Sequence, residues 1–568
     1  MTLHSALSLE LLPTAEGSDE GGPGVWRVGL GDGTEFLWQG FYTGPAALSQ
    51  NDLQRISWDL LGCGLEDIPG AAARELRPYI SDGNPVHSMI MHSATPVLKS
   101  LQADMNDALH GSAPDDVATY VETRAVVLAG RNDLVVGRTS TWRAAAMLAG
   151  VEMVEIPGIE YYYLTHAILQ LAASQGPDAP ALRRIIDELH DHPDTLVRLY
   201  SLDRETQMVL LYLKRMAGIE VLYTDANSPE VAEYWNTKAP LHPTAEDASE
   251  LTCDRASPDA TLEAESALSP LTRRLGVRCT TVPGYSVDGR TTSFSVVESR
   301  LAMAADLLRQ RYGVTHGCLK PSEGGAGARI VTGIDLSDSA QLREMAGRVH
   351  AAGEEFIVEA QVTYLRHEVG GQQLMLSPSV HIRHGHLTPG MTLQITNGTS
   401  WQGNVYFDER VCTSVGISPD QYRAIRADLE ALHRGFSQAQ LSVVTAGFDF
   451  AVGRIGGTFG DKVLVALQDP NLSSHGAEYL RLFIDQVTAE GGPGYGATKV
   501  INPVASLVEL TKGVRRCSGD WARVISAIPG RWGMLAVAAD TPGIAVELIT
   551  EWEQKWIADG LIIPAAFR

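Results

Sequence analysis

Lysine is scarce in this 568-residue chain, eight against thirty-seven arginines, and one of the eight stands where it could do chemistry. Lys320 ends a strand-like run, 316–319, and directly precedes a loop holding Ser322, Gly324, Gly325 and Gly327; 328–332 then predicts a second strand. Glycines let several backbone N–H groups approach an anion, because no Cβ blocks the way. A lysine beside them adds a compact, mobile charge suited to phosphate oxygens. A Walker A loop places its lysine after the glycines and opens a helix, and the dinucleotide fingerprint also needs a helix; neither order occurs here. The bland alternative is a glycine-rich hairpin with a surface lysine. Further along, Asp469 and Asn471 lie two apart on a strand-like run, 464–473, so both face one side. Their oxygens are hard ligands of the type Mg²⁺ takes alongside phosphate and water.

Strand, lysine, glycine loop, strand resembles the phosphate lid of the ATP-grasp superfamily, and further pieces follow in that family's order. Phe356-Ile-Val-Glu359-Ala360-Gln-Val362 is similar to the hinge whose backbone holds adenine. The resemblance implies Lys320, Ser322, Gly324, Gly325, Gly327, Glu359, Ala360 and Val362 as nucleotide contacts. Gly447-Phe-Asp449 resembles the strand carrying the first metal carboxylate, and 464–473 the next strand with its acid-x-amide pair. Asp449, Asp469 and Asn471 are thereby implied as Mg²⁺ ligands. Asn236-Thr237-Lys238 resembles the N-x-K that supplies a second phosphate-facing lysine. Taken singly these pieces are weak, since Asp-Pro-Asn is more often a turn than a metal site. Their order is the specific signal.

Between hinge and metal strands, 377–408 alternates apolar residues about a His384-Gly385 turn, which predicts a hairpin. Its Ser379-Val380, Gln394 and Gly403-Asn404 are similar to pheganomycin-type peptide ligases, ATP-grasp proteins with an extra domain ahead of the catalytic part; the likeness covers residues 200–475. His381, His384 and His386 are expected on a solvated sheet face. Arg383 is the leading candidate to neutralise an acyl phosphate, with Arg329 the alternative. Two departures stand out. Residues 244–267 carry seven acids against Arg255 and read as an exposed insertion or linker. After Asn471 come Leu472, Ser473, Ser474 and His475, where many relatives place an arginine.

The elements that must position these residues alternate in type. Strands are expected at 124–130, 151–157 and 219–224, and amphipathic helices at 161–173, 181–190 and 204–217. Asp32-Gly33 predicts a hairpin turn between 26–30 and 35–38. Near the C-terminus a strand is expected at 533–539 and a helix at 545–558, with Trp532, Trp552 and Trp556 as core. The expected fold class is α/β. It comprises an N-terminal three-layer α/β pre-ATP-grasp domain over 1–235, an α+β ATP-grasp catalytic domain over 236–490, and a small C-terminal α/β lobe over 491–568.

A formal charge of −23 argues against nucleic acid as a partner. No 18-residue apolar run offers a membrane span. The N-terminal residues lack a basic region and carry acids early, so no secretory signal is expected. Six scattered cysteines fit reduced thiols in a cytoplasmic protein. The resemblance implies ATP and Mg²⁺ as cofactors and small-molecule carboxylate and amine substrates, an amino acid or peptide, with a homodimer also open. It implies amide formation through an acyl phosphate, in antibiotic-type secondary metabolism. Two alternatives stay open: a catalytically reduced ATP-binding structural or regulatory protein, and an ATP-grasp enzyme with a non-amine acceptor.

Overall fold

The computed structural model describes residues 8–12, 25–29, 35–39, 47–80, 87–93, 121–122, 125–126, 128–130, 133–137, 151–157, 161, 163–251, 257–291, 293–323, 329–397, 400–505, 507–517, 521–528 and 532–563. Contacts group the chain into two compact units: 1–233 with 384–386 and 473–568, and 234–383 with 387–472. The three-part division drawn from the sequence differs, because 491–568 falls in the same unit as the N-terminal region.

The first unit opens with an antiparallel meander of β1 (Ser8–Leu12), β2 (Val25–Gly29) and β3 (Glu35–Gln39). Gly29 pairs with Glu35, as the expected hairpin requires, while its Asp32-Gly33 turn lies outside the described residues. A parallel sheet follows, built from β4 (Leu76–Pro78), β5 (Ser88–Met91), β6 (Leu134–Gly137), β7 (Glu152–Glu155), β8 (Leu196–Leu199) and β9 (Leu222–Thr224). Their order is β4-β9-β8-β5-β6-β7. Strands β5, β6 and β8 are buried at every residue, the pattern of a parallel strand covered on both faces. The helices are α1 (Gln50–Leu61), α2 (Ile68–Glu75), α3 (Leu164–Gln175), α4 (Pro180–Asp191) and α5 (Arg204–Ala217). In α4 the buried Leu182, Ile185, Ile186 and Leu189 recur at helical spacing and form its core stripe. Residues 124–130 correct the expectation of a strand: Ala125, Val126 and Leu128 are helical, and the strand is β6. A short apolar run without alternation fits a buried helix as well as a buried strand.

The second unit holds two sheets. The smaller is antiparallel, in the order β10 (Gly284–Asp288), β13 (Glu355–Ala360), β11 (His316–Pro321), β12 (Val331–Asp335). Two short strands, β15 (Arg366–Val369) and β16 (Gln372–Met375), pair with each other. The larger sheet runs β14 (Thr363–Tyr364), β21 (Ala446–Arg454), β17 (Pro378–Arg383), β19 (Met391–Asn397), β20 (Ser400–Phe407), and β22 (Leu464–Asn471) also pairs with β21. The His384-Gly385 turn after β17 has both residues at positive φ, 49° and 76°, and β18 (His386–Leu387) leaves it, as a two-residue hairpin loop requires.

The acidic stretch is a second correction. The described parts of 244–267 are not an exposed linker: α6 (Ala245–Ser249) and α7 (Pro258–Ser266) place Ala245, Ala248, Leu262 and Glu265 in the interior. Glu265 accepts hydrogen bonds from Tyr285 at 2.8 Å and Tyr312 at 2.6 Å and pairs with Arg311, all in one core with Leu301 and Leu308 of α8 (Phe294–Tyr312). Back in the first unit, β23 (Tyr495–Pro503), β24 (Ala522–Ile528) and β25 (Trp532–Ala539) pair antiparallel, and a last helix spans Pro542–Ala558. Trp552 and Trp556 are buried as expected; the side chain of Trp532 lies outside the described residues.

Candidate functional site

Register decides which side chains of the larger sheet meet. Asp449 on β21 lies opposite Asp469 on β22 and opposite Ser379 on β17, and Asn471 lies opposite Gly447. Directly opposed residues share a face, so Ser379, Asp449, Asp469 and Asn471 project together. The flanking Phe448 and Phe450 are wholly buried, which fixes the face that Asp449 must take. Asn471 donates its amide N–H to Asp449 at 3.0 Å, leaving the amide oxygen for another partner. Ser379 donates its hydroxyl to the other oxygen of Asp449, and Gln394 donates to Ser379 at 3.3 Å. Burial pushes the Asp449 carboxyl up to about 6, with the neighbouring Asp469 adding to the shift and the hydrogen bonds working against it.

Lys238 joins this face to the smaller sheet. Its backbone N–H donates to the Ser322 carbonyl at 3.0 Å, just beyond β11, and its ammonium group meets Asp469 at 3.0 Å. The Ser322 hydroxyl accepts from the Ala239 N–H at 3.0 Å, so one short segment is held at two points. Tyr364 donates to Gln468 at 2.5 Å, a further link between β14 and β22.

On the smaller sheet Lys320 and Glu359 form a buried ion pair, which corrects the alternative of a solvent-facing lysine. Burial is the largest influence on Lys320 and opposes its charge, but the attraction and hydrogen bond of Glu359, joined by Cys318 and Tyr364, together outweigh it and hold its pKa above the usual lysine range. Glu359 also faces the His242 ring at 3.8 Å and accepts from Cys318 at 3.5 Å. Burial pulls His242 down to about 4, against the pull of Glu359 and with help from Lys320, so this imidazole is neutral near neutral pH. Gly284 lies opposite Glu359, and a Cβ there would fall 2.7 Å from the Glu359 Cβ; only glycine leaves the carboxylate room.

Seven of the residues singled out in the sequence thus fall in two linked groups, Lys238-Ser322-Asp469-Asp449-Asn471 and Lys320-Glu359. The others divide. Gly324, Gly325 and Gly327 lie outside the described residues. Ala360 is buried and its N–H is already donated to the Pro283 carbonyl at 2.8 Å; Val362 packs half-buried against the core. Arg383 shares the face of Ser379, four residues along β17, roughly 13 Å at strand rise. Arg329 is engaged with Glu354 at 2.9 Å, with the Glu323 carbonyl and with the Phe356 ring. The expected solvated histidine face is corrected in part: His381 is buried, His384 is half-buried and edge-on to Tyr79, and His386 is exposed.

Several polar residues were not singled out from the sequence. His242 is one, and Thr392 and Gln402, both buried in the inner strands, are others. Ser379 opposes Thr392, and Gln394 opposes the buried Asn404, so one face carries a polar stripe. The signal was present: Thr392-x-Gln394 and Gln402-x-Asn404 place polar groups at strand period within apolar runs. The Thr392 hydroxyl has no hydrogen-bond partner among the described residues.

No family model and no curated protein matches the sequence. Among solved structures, the chain is similar to an ADP complex of N5-carboxyaminoimidazole ribonucleotide synthetase, at 12% identity over 85% of this chain and 99% of that one, with a TM-score of 0.42. It is similar to the biotin carboxylase domain of Hydrogenobacter thermophilus 2-oxoglutarate carboxylase with MgADP, at 13% identity over 82% and 89%, TM-score 0.44. A D-cycloserine synthetase structure matches at 13% identity over 71% and 99%, TM-score 0.33.

Proposed function

We propose that this chain is an ATP-grasp ligase that joins a carboxylate to an amine, with ATP converted to ADP and an acyl phosphate as the activated species. The observation that carries this is Lys238, which ties the loop-bearing end of β11 at Ser322 to Asp469 in the carboxylate-amide face. Two buried lysines and three hard-oxygen groups in one unit suit a polyphosphate with its dication better than any apolar ligand.

The residues present fit Mg²⁺. Asp449, Asp469 and the amide oxygen of Asn471 are hard donors, and the pKa of Asp449, raised by burial first and by the neighbouring Asp469 second, marks a carboxylate whose charge a dication would stabilise. When bound, Mg²⁺-ATP supplies the phosphoryl group and the charge neutralisation for its transfer. Glu359 keeps Lys320 charged in a buried setting, so the lysine is ready for a phosphate oxygen without first gaining a proton. Neutral His242 adds no charge that would compete for Glu359. Ser379, through its bond to Asp449, fixes the carboxylate and leaves less reorganisation for the reaction. Thr392, Gln394, Gln402 and Asn404 offer donors and acceptors for the carboxylate and amine substrates, and Arg383 is assigned to the developing acyl phosphate. The acceptor is an amino acid or peptide, and the product a peptide-like secondary metabolite.

The test is incubation with Mg²⁺-ATP and paired amino acids or short peptides, followed by mass spectrometry. ADP and a new amide are expected together. A nucleotide-binding module would give neither with any pair, and AMP with pyrophosphate would replace this mechanism with adenylation.

A further inference from the structure

Away from that site, three side chains of the first unit gather at the N-terminal ends of its parallel strands. Glu188 lies in the last turn of α4 and His192 caps its C-terminus, its backbone N–H donating to the Glu188 carbonyl at 3.0 Å, which holds the two residues side by side. His87 immediately precedes β5. One ligating atom of each lies within 4.8 Å of the other two. The backbone holds the arrangement, since the His87 carbonyl accepts from the Leu196 N–H at 3.1 Å and the His192 carbonyl from Thr195 at 3.0 Å. The two imidazoles stack with centroids 4.0 Å apart and planes 14° apart.

We infer that His87, Glu188 and His192 form a binding site for a divalent transition metal of the zinc type. Two imidazoles and one carboxylate are the donor set of Zn²⁺ and its first-row neighbours, whereas Mg²⁺ favours oxygen throughout. Stacked rings carry their lone pairs side by side, so one ring must turn for two nitrogens to converge on a single ion. All three residues are only partly buried, which leaves room for that turn. The carboxylate is already oriented. Its Oε2 accepts from Arg184 at 2.9 Å, and Arg184 is itself gripped by Glu152 at 2.8 and 3.1 Å. The other oxygen, Oε1, is left for the metal, and an outer partner of this kind fixes a ligand's direction.

Position separates this site from small-molecule binding. Ligands of open α/β sheets sit beyond the carboxyl ends of the strands. His87 and His192 precede β5 and β8, at the opposite end. The ion would join the end of α4 to the start of the central strands and act as a structural clamp.

The full chain, stripped with a chelator, is titrated with Zn²⁺ against a chromophoric competitor and then with Co²⁺ for its spectrum. We expect one tightly held equivalent, a nitrogen–oxygen Co²⁺ spectrum without a thiolate charge-transfer band, and a higher melting temperature with Zn²⁺ that Mg²⁺ does not reproduce. His87→Ala and His192→Ala each remove that equivalent while melting like the parent when metal-free, and Asp469→Asn retains it. The inference is overturned by a parent chain that holds no metal, by full retention in the double histidine variant, or by a thiolate spectrum.

Discussion

Lys320 and Glu359 are each other's counter-charge in a buried place, and that sets what their removal does. Lys320→Ala leaves Glu359 without its partner, so we expect loss of ADP formation together with about 3–5 kcal/mol of stability. Glu359→Gln on top of Lys320→Met removes both charges and should return most of the stability but none of the turnover. Urea unfolding beside an ADP assay separates the two effects, and a stable, active Lys320→Ala would remove the lysine from the site. Asp449 gives a pH signature. Its carboxyl is held up to about 6 from 3.8, so the folded chain binds more protons than the unfolded one between those values. Its favourable contribution is therefore present below 3.8 and lost as pH rises through about 6. Metal-free protein should gain stability relative to Asp449→Asn as pH falls across that window, and Mg²⁺ should narrow the gap above it. Parallel urea midpoints at every pH would refute the assignment. These carboxylates were legible because two-residue spacing and flanking phenylalanines fix a strand face. His242 was not, because nothing in the sequence tells that it comes to face Glu359 from a distant segment.

At the scale of elements, the acidic stretch 244–267 teaches why composition misleads. Seven acids in a short span suggest solvation, yet most of them stand on the outer sides of α6 and α7 while Ala245, Ala248 and Leu262 face inward. Among the described residues of the stretch Glu265 is the acid drawn in, and it is satisfied by Arg311 and two tyrosine hydroxyls, as a buried carboxylate must be. Those partners lie on β10 and α8, beyond the reach of local pattern. Glu265→Ala should cost about 3–5 kcal/mol, measured by urea unfolding, because it strands Arg311 in the interior. A change within about 0.5 kcal/mol would mean the acid behaves as a surface residue after all. The strands of the proposed site were legible for the opposite reason. β11, β13, β21 and β22 carry their apolar residues in short, bounded runs, and each is interrupted by polar groups that the fold must explain: Lys320, Glu359 and Asp449 in the first three, and Gln468, Asp469 and Asn471 in β22. The misplaced strand at 124–130 shows the limit, since apolar runs of that length carry no period to choose by.

For the whole molecule, the net charge of −23 poses the problem that the proposed reaction must solve locally. ATP, a substrate carboxylate and an acyl phosphate are all anions, and the chain's mean field repels them. Lys238, Lys320 and a dication on Asp449, Asp469 and Asn471 would collect positive charge at one place within that field. Raising ionic strength should therefore lower KM for ATP modestly or leave it unchanged, where a basic protein would bind its anion less well. No helix among the described residues is long and apolar enough to cross a membrane. The decisive measurement at this scale is stoichiometry. If the carboxylate is activated by phosphorylation, each amide formed releases one ADP and one phosphate. A heavy oxygen label in the donor carboxylate must then appear in the inorganic phosphate, because that oxygen attacks the γ-phosphoryl group and leaves with it when the amine displaces phosphate. An idle hydrolase releases unlabelled phosphate without amide, since water supplies the attacking oxygen. Adenylation carries the label into AMP instead. We expect equal ADP, labelled phosphate and amide, and the label in AMP would overturn the mechanism while leaving the ligase activity in place.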